Sequence, residues 1–180
     1  MSDPKHLGDI TDEIIDLSVE EGNEFYVIYP KAKDFFKKGK IWIKRLRYYN
    51  AVTSFQKGIK SLKTCRVEDS EEERQKTDLL INLFQGLMIC YNNMNRPKWA
   101  CNAMKEVRLL TENKPPWRAL YQEGRALTIL GEYNRARLSY IRAKDKQPDN
   151  QDIKDEITKI SKRISNLEMA KRELWERAMN

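Results

Sequence analysis

Apolar and small residues recur along this chain at the three- and four-residue spacing of helices, and the pattern is sharpest between Trp117 and Asn150. Counted from Trp117, small residues stand at positions eight and twenty, where they allow two helices to approach closely. Large side chains stand between them and fill the seam, and Pro148 stops the second helix. The pattern predicts two antiparallel helices. The small residues are Gly124 and Ala136, and the large ones are Leu120, Leu127, Tyr133 and Tyr140.

A helix pair of about 34 residues with this pattern is typical of a tetratricopeptide repeat. Weaker copies begin at Ala32 and Ile81. One such unit cannot bury its apolar face alone, so the copies should stack. The sequence predicts an all-α fold of antiparallel helix pairs in a right-handed superhelix. Its repeats cover about 32–65, 81–114 and 117–150, and a long capping helix covers 151–180.

Proline, glycine and polar residues predict where the helices begin and end. The first helix should begin at Pro30, since proline suits a first turn. The polar stretch 65–76 lies between two repeats and exceeds the length that the repeat period requires. It is either a long loop or a solvated extension of the next helix. Pro97 should open a helix, and Gly131 should mark a turn.

The last helix should begin with a cap at Asp149 or Asn150 and carry apolar residues at alternating spacings of four and three. Its first half should cover the open edge of the third repeat. Its second half should project, so that Trp175 and Met179 could also pack on a partner helix or on a calmodulin-like reader of basic helices. Capping is the favoured role.

Residues 1–25 differ in kind from the rest. Residues 1–30 carry eight acids and one lysine, a net −7; since the whole chain carries +7, residues 31–180 carry +14. The alternation of Ile15, Leu17 and Val19 predicts a short strand or a flexible leader, which we interpret as the linker from a further N-terminal domain. An acidic partner suits the basic remainder, although ordinary solvated helix faces explain the charge equally well.

Composition excludes several classes of function. Charged residues make up 34% of the chain and the mean hydropathy is −0.77, without a membrane-length apolar run or a signal peptide. Three cysteines without CxxC spacing indicate reduced thiols in a cytosolic or nuclear protein, and we expect the cytoplasm. A single histidine, His6, and the lack of phosphate-loop or metal-ligand motifs argue against an enzyme, a cofactor or a metal site.

Several short segments of the sequence resemble one family. They are Asn95-Arg96-Pro97, the run Arg118 to Tyr121, the run Gly131 to Ile153 and the end Glu173-Leu174-Trp175-Glu176-Arg177. Over about residues 26–180 the chain resembles the C-terminal half of FK506-binding immunophilin co-chaperones, in particular the divergent germline members. The resemblance implies a scaffold that docks Hsp90 and acts with piRNA-pathway proteins in transposon silencing in the germline, including meiosis.

The family holds the acidic C-terminal peptide of Hsp90 in a clamp of lysine, asparagine and arginine side chains, which donate charge-assisted hydrogen bonds to two carboxylates. Here the five clamp positions are occupied by Phe36, Lys40, Gly86, Arg118 and Gln122. Two of them supply no side-chain donor. We therefore expect a modified site for Hsp90 or another acidic tail, built on Lys40, Lys44, Asn82, Gln85, Arg118, Gln122 and Arg125, with Asn92 facing the same way.

Two other functions compete with peptide binding. RNA could contact the basic surface, but most aromatic residues occupy core positions of the repeats, so Trp99 or Trp117 would have to stack on bases. Self-association as a homodimer through the last helix or the leader is the third alternative.

Overall fold

A computed structural model of the chain describes residues 22–179, and those residues form seven helices and no strand. The leader, including the segment predicted as a strand, lies almost wholly outside the described residues. The fold is the predicted all-α stack of helix pairs followed by one long helix. The helices are α1 (Phe25–Lys44), α2 (Tyr48–Lys63), α3 (Ser70–Asn93), α4 (Pro97–Leu110), α5 (Trp117–Ile129), α6 (Tyr133–Lys146) and α7 (Gln151–Met179).

The turn inside each helix pair has the same backbone geometry. Leu46, Asn95 and Gly131 each lie two residues before the second helix, with φ of 57°, 55° and 78°. In each turn the next amide reaches back to a carbonyl five residues earlier, for example Arg96 N to Tyr91 O at 2.8 Å and Glu132 N to Leu127 O at 2.9 Å. This is the Schellman arrangement, and it recurs in the turn of all three helix pairs.

The core is built where aromatic rings meet glycines. A Cβ on Gly124 would stand 2.6 Å from the ring of Tyr140, which is fully buried. Phe55 is the equivalent ring in the first repeat, and a Cβ on Gly39 would stand 2.3 Å from it. The close helix approach predicted at Gly124 is confirmed, because no larger residue leaves room for the ring.

The start of α1 differs from the prediction at Pro30. The helix begins five residues earlier, at Phe25, so Pro30 lies inside it. The extra turn is stabilised by tertiary contacts: the rings of Phe25 and Tyr29 stack with centroids 4.6 Å apart, and Asn23 O accepts a hydrogen bond from Arg66 N at 2.7 Å. These contacts offset the backbone hydrogen bond that proline cannot donate.

The polar stretch after α2 is mostly helical. Asp69 caps α3, since its Oδ1 accepts a hydrogen bond from Glu72 N at 2.8 Å, and the helix runs from Ser70 without interruption. Of the two alternatives, the structure therefore contains the solvated helical extension. Among the described helices none is long and apolar enough to cross a membrane.

Helix α7 is twice as long as the helix it packs against. Asn150 caps it through Oδ1, which accepts from Ile153 N at 3.2 Å. Ile153 and Ile160 are buried against the third repeat, whereas every residue from 165 to 179 is exposed. The predicted division into a covering half and a projecting half is confirmed.

Candidate peptide-binding groove

A cavity of about 250 Å³ lies where α3, α5 and the first turn of α7 meet. Three of the seven predicted binding residues line it: Gln85, Arg118 and Gln122. Gln85 and Gln122 are buried, whereas Arg118 is exposed. The remaining lining residues are Ile89, Trp117, Tyr121, Asn150 and Asp152.

The amide of Gln122 is held in place by two neighbours. Its Oε1 accepts hydrogen bonds from Asn92 Nδ2 at 3.0 Å and from Arg125 Nη1 at 3.4 Å. Asn92 Nδ2 also bonds to the backbone carbonyl of Gln122 at 2.9 Å, which ties α3 to α5. Because both neighbours use the oxygen, the Nε2 of Gln122 carries the donors that a ligand could use. Arg125 thus orients a groove residue, while Asn92 is committed to the structure.

The charge of the cavity comes from Arg118 and Asp152. The guanidinium of Arg118 lies 5.0 Å from the centroid of the Trp117 ring, a cation–π contact that steadies a side chain otherwise open to solvent. Asp152 brings one negative charge to the same cavity. Burial raises the pKa of the Tyr121 hydroxyl, so this wall of the cavity stays neutral at physiological pH.

The other predicted residues lie outside this cavity. Lys40 and Lys44 are exposed on α1, and the Nζ of Lys40 lies 5.5 Å from the centroid of the Phe36 ring. Asn82 is exposed on α3. The structure therefore separates the predicted set into a cavity group, with Arg125 beside it, and an outer group of Lys40, Lys44 and Asn82.

Gly86 has a structural role that the repeat pattern did not indicate. A Cβ at this position would stand 2.6 Å from both Cε2 and Cζ of Phe55, where ordinary contact distances are 3.5–4.0 Å. The ring of Phe55 fills the space that the side chain of an asparagine would need. The position therefore serves packing, which leaves no room for the amide that the family resemblance implies here.

Sequence reasoning missed the contribution of α7 to the cavity. Asp149 or Asn150 was predicted to cap the last helix, but neither alternative indicated that the first turn of α7 closes the groove. The position of Asp152 depends on how α7 packs across the third repeat, which is a long-range contact. Ile89 and Tyr121 follow the helical period and carry no separate signal of a site.

Within the part of the chain that the structure describes, we find neither a candidate metal site nor an activated Cys90 thiol. No group of three or more His, Cys, Asp or Glu that could hold a metal occurs within residues 22–179. Burial raises the pKa of the Cys90 thiol to about 12, so it is protonated and unreactive at neutral pH.

Comparison with known proteins supports the sequence resemblance. No protein-family model matches the chain. Over 161 residues, 89% of the chain, it is 50% identical to a Drosophila melanogaster protein called inactive peptidyl-prolyl cis-trans isomerase shutdown. The chain spans about a third of that relative, since the match covers 35% of its length.

Solved structures confirm the fold. The C-terminal TPR-containing domain of a Plasmodium falciparum FK506-binding protein superposes with a TM-score of 0.70 over 81% of this chain and 95% of that domain, at 19% identity. The first TPR of Spaghetti (RPAP3), solved with the HSP90 peptide SRMEEVD, superposes with a TM-score of 0.60 over 76% of this chain and 94% of that one, at 20% identity. The fold is a tetratricopeptide-repeat domain similar to those of immunophilins and co-chaperones.

Proposed function

We propose that this chain, a homologue of the inactive isomerase shutdown with a tetratricopeptide-repeat fold, is a non-catalytic interaction module. It binds the acidic C-terminal tail of Hsp90, or a tail of the same chemistry, in the groove between α3, α5 and α7. The observation that carries the proposal is the convergence of Arg118 with the buried amides of Gln85 and Gln122 on one cavity. A cation and oriented amides donate charge-assisted hydrogen bonds to a carboxylate.

The charged side chains that line the cavity determine which acidic peptide tail it binds. Arg118 supplies one positive charge and Asp152 one negative charge, so a tail that places two carboxylates here meets repulsion as well as attraction. The exposed Lys40 and Lys44 on α1 can contact acidic residues that lie further along the tail. We therefore assign one carboxylate to Arg118 and Gln122, and the remaining acidic side chains to α1.

Calorimetric titration with the peptide SRMEEVD tests the proposal. We expect micromolar binding that weakens between about 50 and 300 mM salt, because the lysines on α1 are exposed to screening. Arg118→Glu should weaken binding by at least about tenfold. Arg142→Glu is the matched control, since it makes the same charge change at an exposed position of α6 outside the cavity. Equal loss in both variants, or no binding by the native chain, contradicts the proposal.

A cellular role follows from the germline resemblance alone. We propose that the module acts in the cytoplasm of germline cells, linking a chaperone to piRNA-pathway proteins during transposon silencing. Replacing the native protein with the Arg118→Glu variant should raise transposon transcripts in the gonad, whereas Arg142→Glu should not. Normal silencing by the Arg118→Glu protein would separate the groove from this pathway.

RNA binding is the second candidate, and the exposure of one aromatic residue favours it. Trp99 is 51% exposed on α4, with its ring tilted against Tyr91 at 5.8 Å. Trp117 is the weaker candidate, because Arg118 covers its ring. A single-stranded RNA added in the same calorimeter distinguishes the ligands: salt-dependent RNA binding lost on Trp99→Ala would favour the second candidate.

A further inference from the structure

The projecting half of α7 continues the same apolar face that its first half buries. Residues 153, 157, 160, 164, 167, 171, 174 and 178 follow one another at alternating spacings of four and three, which places them on a single stripe. Ile153 and Ile160 at the start of the stripe are buried against the third repeat, whereas Leu167 is 50% and Leu174 65% exposed. The helix therefore presents an uncovered continuation of a packing surface.

A cavity lies at the point where this stripe leaves the body. It has a volume of about 600 Å³ between the turn that starts α6 and the projecting half of α7. Tyr133 and the side chains of Ile164 and Leu167 give it apolar walls. The guanidinium of Arg163 lies 4.8 Å from the centroid of the Tyr133 ring and braces it. The cavity is large enough to receive an aromatic side chain.

We propose that this surface binds a second copy of the same chain, with the projecting halves of two α7 helices packed antiparallel. The first argument is charge. Residues 165–179 carry three acids and three bases, so this segment is neutral, while residues 31–164 carry all of the +14. Two neutral segments can approach without repulsion, and an antiparallel arrangement keeps the two strongly basic bodies at opposite ends.

The second argument is the fit between the end of the helix and the cavity. If the pair is centred between Lys171 and Leu174, each Lys171 faces a leucine rather than another lysine, and its aliphatic stem can lie along that leucine. In the same register Trp175 of the partner subunit is level with residue 170, between Leu167 and Lys171, which line the cavity. Trp175 is 67% exposed in the single chain, so the pairing buries its ring.

The pairing should be weak, because two short helical segments bury less than the roughly 1,200 Å² typical of stable interfaces. Sedimentation velocity of the full 180-residue chain over about 1–500 μM should therefore show a reversible monomer–dimer equilibrium. Small-angle X-ray scattering of the dimer should give an elongated particle with its two bodies apart.

Two matched variants locate the interface. Leu174→Glu introduces a charge on the stripe and should lower the association constant at least tenfold. Met169→Glu makes a comparable change on the same segment, at a residue 57% exposed but off the stripe, and should leave association unchanged. Both positions are exposed, so neither variant should alter the helical circular dichroism of the monomer.

A chain that stays monomeric at every concentration overturns the proposal. A dimer that persists in Leu174→Glu, or one that Met169→Glu weakens equally, also overturns it, as does a compact dimer in scattering. These readouts do not involve the groove, so they are independent of peptide binding.

Discussion

Restoring the clamp amide at Gly86 should destabilise the fold. In Gly86→Asn the new Cβ would stand 2.6 Å from Cε2 and Cζ of Phe55, about 1 Å inside normal contact. The ring cannot move into the space beside α1, because it already lies where a Cβ on Gly39 would stand at 2.3 Å. Overpacking of this kind costs about 1–3 kcal/mol, and the helix propensity gained over glycine offsets only a few tenths.

We therefore expect Gly86→Asn to lower the free energy of unfolding by about 2 kcal/mol. In a chain of this size that change lowers Tm by roughly 4–8 °C. Urea unfolding followed by far-ultraviolet circular dichroism should show a lower midpoint at an unchanged slope. If the midpoint of Gly86→Asn matches that of the native chain, the packing explanation of the missing amide is wrong.

A second substitution separates packing from other causes. Phe55→Leu removes the ring tip, so Gly86→Asn should cost at least about 1 kcal/mol less in that background than in the native one. The doubly substituted chain would also carry an amide at the clamp position. It should bind SRMEEVD at least about tenfold more tightly than Phe55→Leu alone, since one hydrogen bond to a charged group contributes about 1.5–3 kcal/mol. Additive stability effects would refute the proposed contact between the two residues.

Three further substitutions and one labelling experiment test other features of the fold. Glu123→Gln should cost about 2 kcal/mol in urea unfolding, because both carboxylate oxygens accept from Arg108 Nη2 at 2.9 Å with side chains only 13% and 28% exposed; an unchanged midpoint would contradict this. Leu46→Gly should raise the midpoint, since a left-handed conformation costs a leucine about 1 kcal/mol. Asn150→Ala should cost about 1 kcal/mol and speed hydrogen exchange in the first turn of α7. At pH 8 roughly one Cys90 thiol in ten thousand is ionised at a pKa of about 12, so Ellman's reagent should label it only as fast as the chain unfolds.

Local signals predicted the repeated part of this fold well because its contacts are mostly local. Small residues at equivalent positions specified the close helix approach, and Pro97 and Gly131 fixed a helix start and a turn. The predicted start of α1 at Pro30 was wrong. The preference of proline for the first turn of a helix is a local rule, whereas the additional turn depends on a contact with Arg66, which lies beyond the next helix.

The candidate groove was only partly predictable for the same physical reason. The family resemblance placed Arg118 and Gln122 at clamp positions, and both line the cavity. The resemblance also placed Gly86 at a clamp position, but the ring that occupies its space comes from another helix. Asp152 belongs to the helix after the repeats, and only the packed structure brings it to the groove.

The glycine at position 86 and the carboxylate of Asp152 have the same effect on the proposed binding site. Glycine at position 86 supplies no side-chain donor, and Asp152 adds a negative charge to the cavity. In the proposed binding mode, both lower the attraction for a second carboxylate, while Arg118 and the oriented amide of Gln122 remain to bind the first. Because the lysines of α1 lie outside the cavity, charge further along the ligand can offset this loss only through exposed, salt-screened contacts. Selectivity should therefore depend on a single carboxylate held at Arg118 and on the acidity of the segment that follows it along α1.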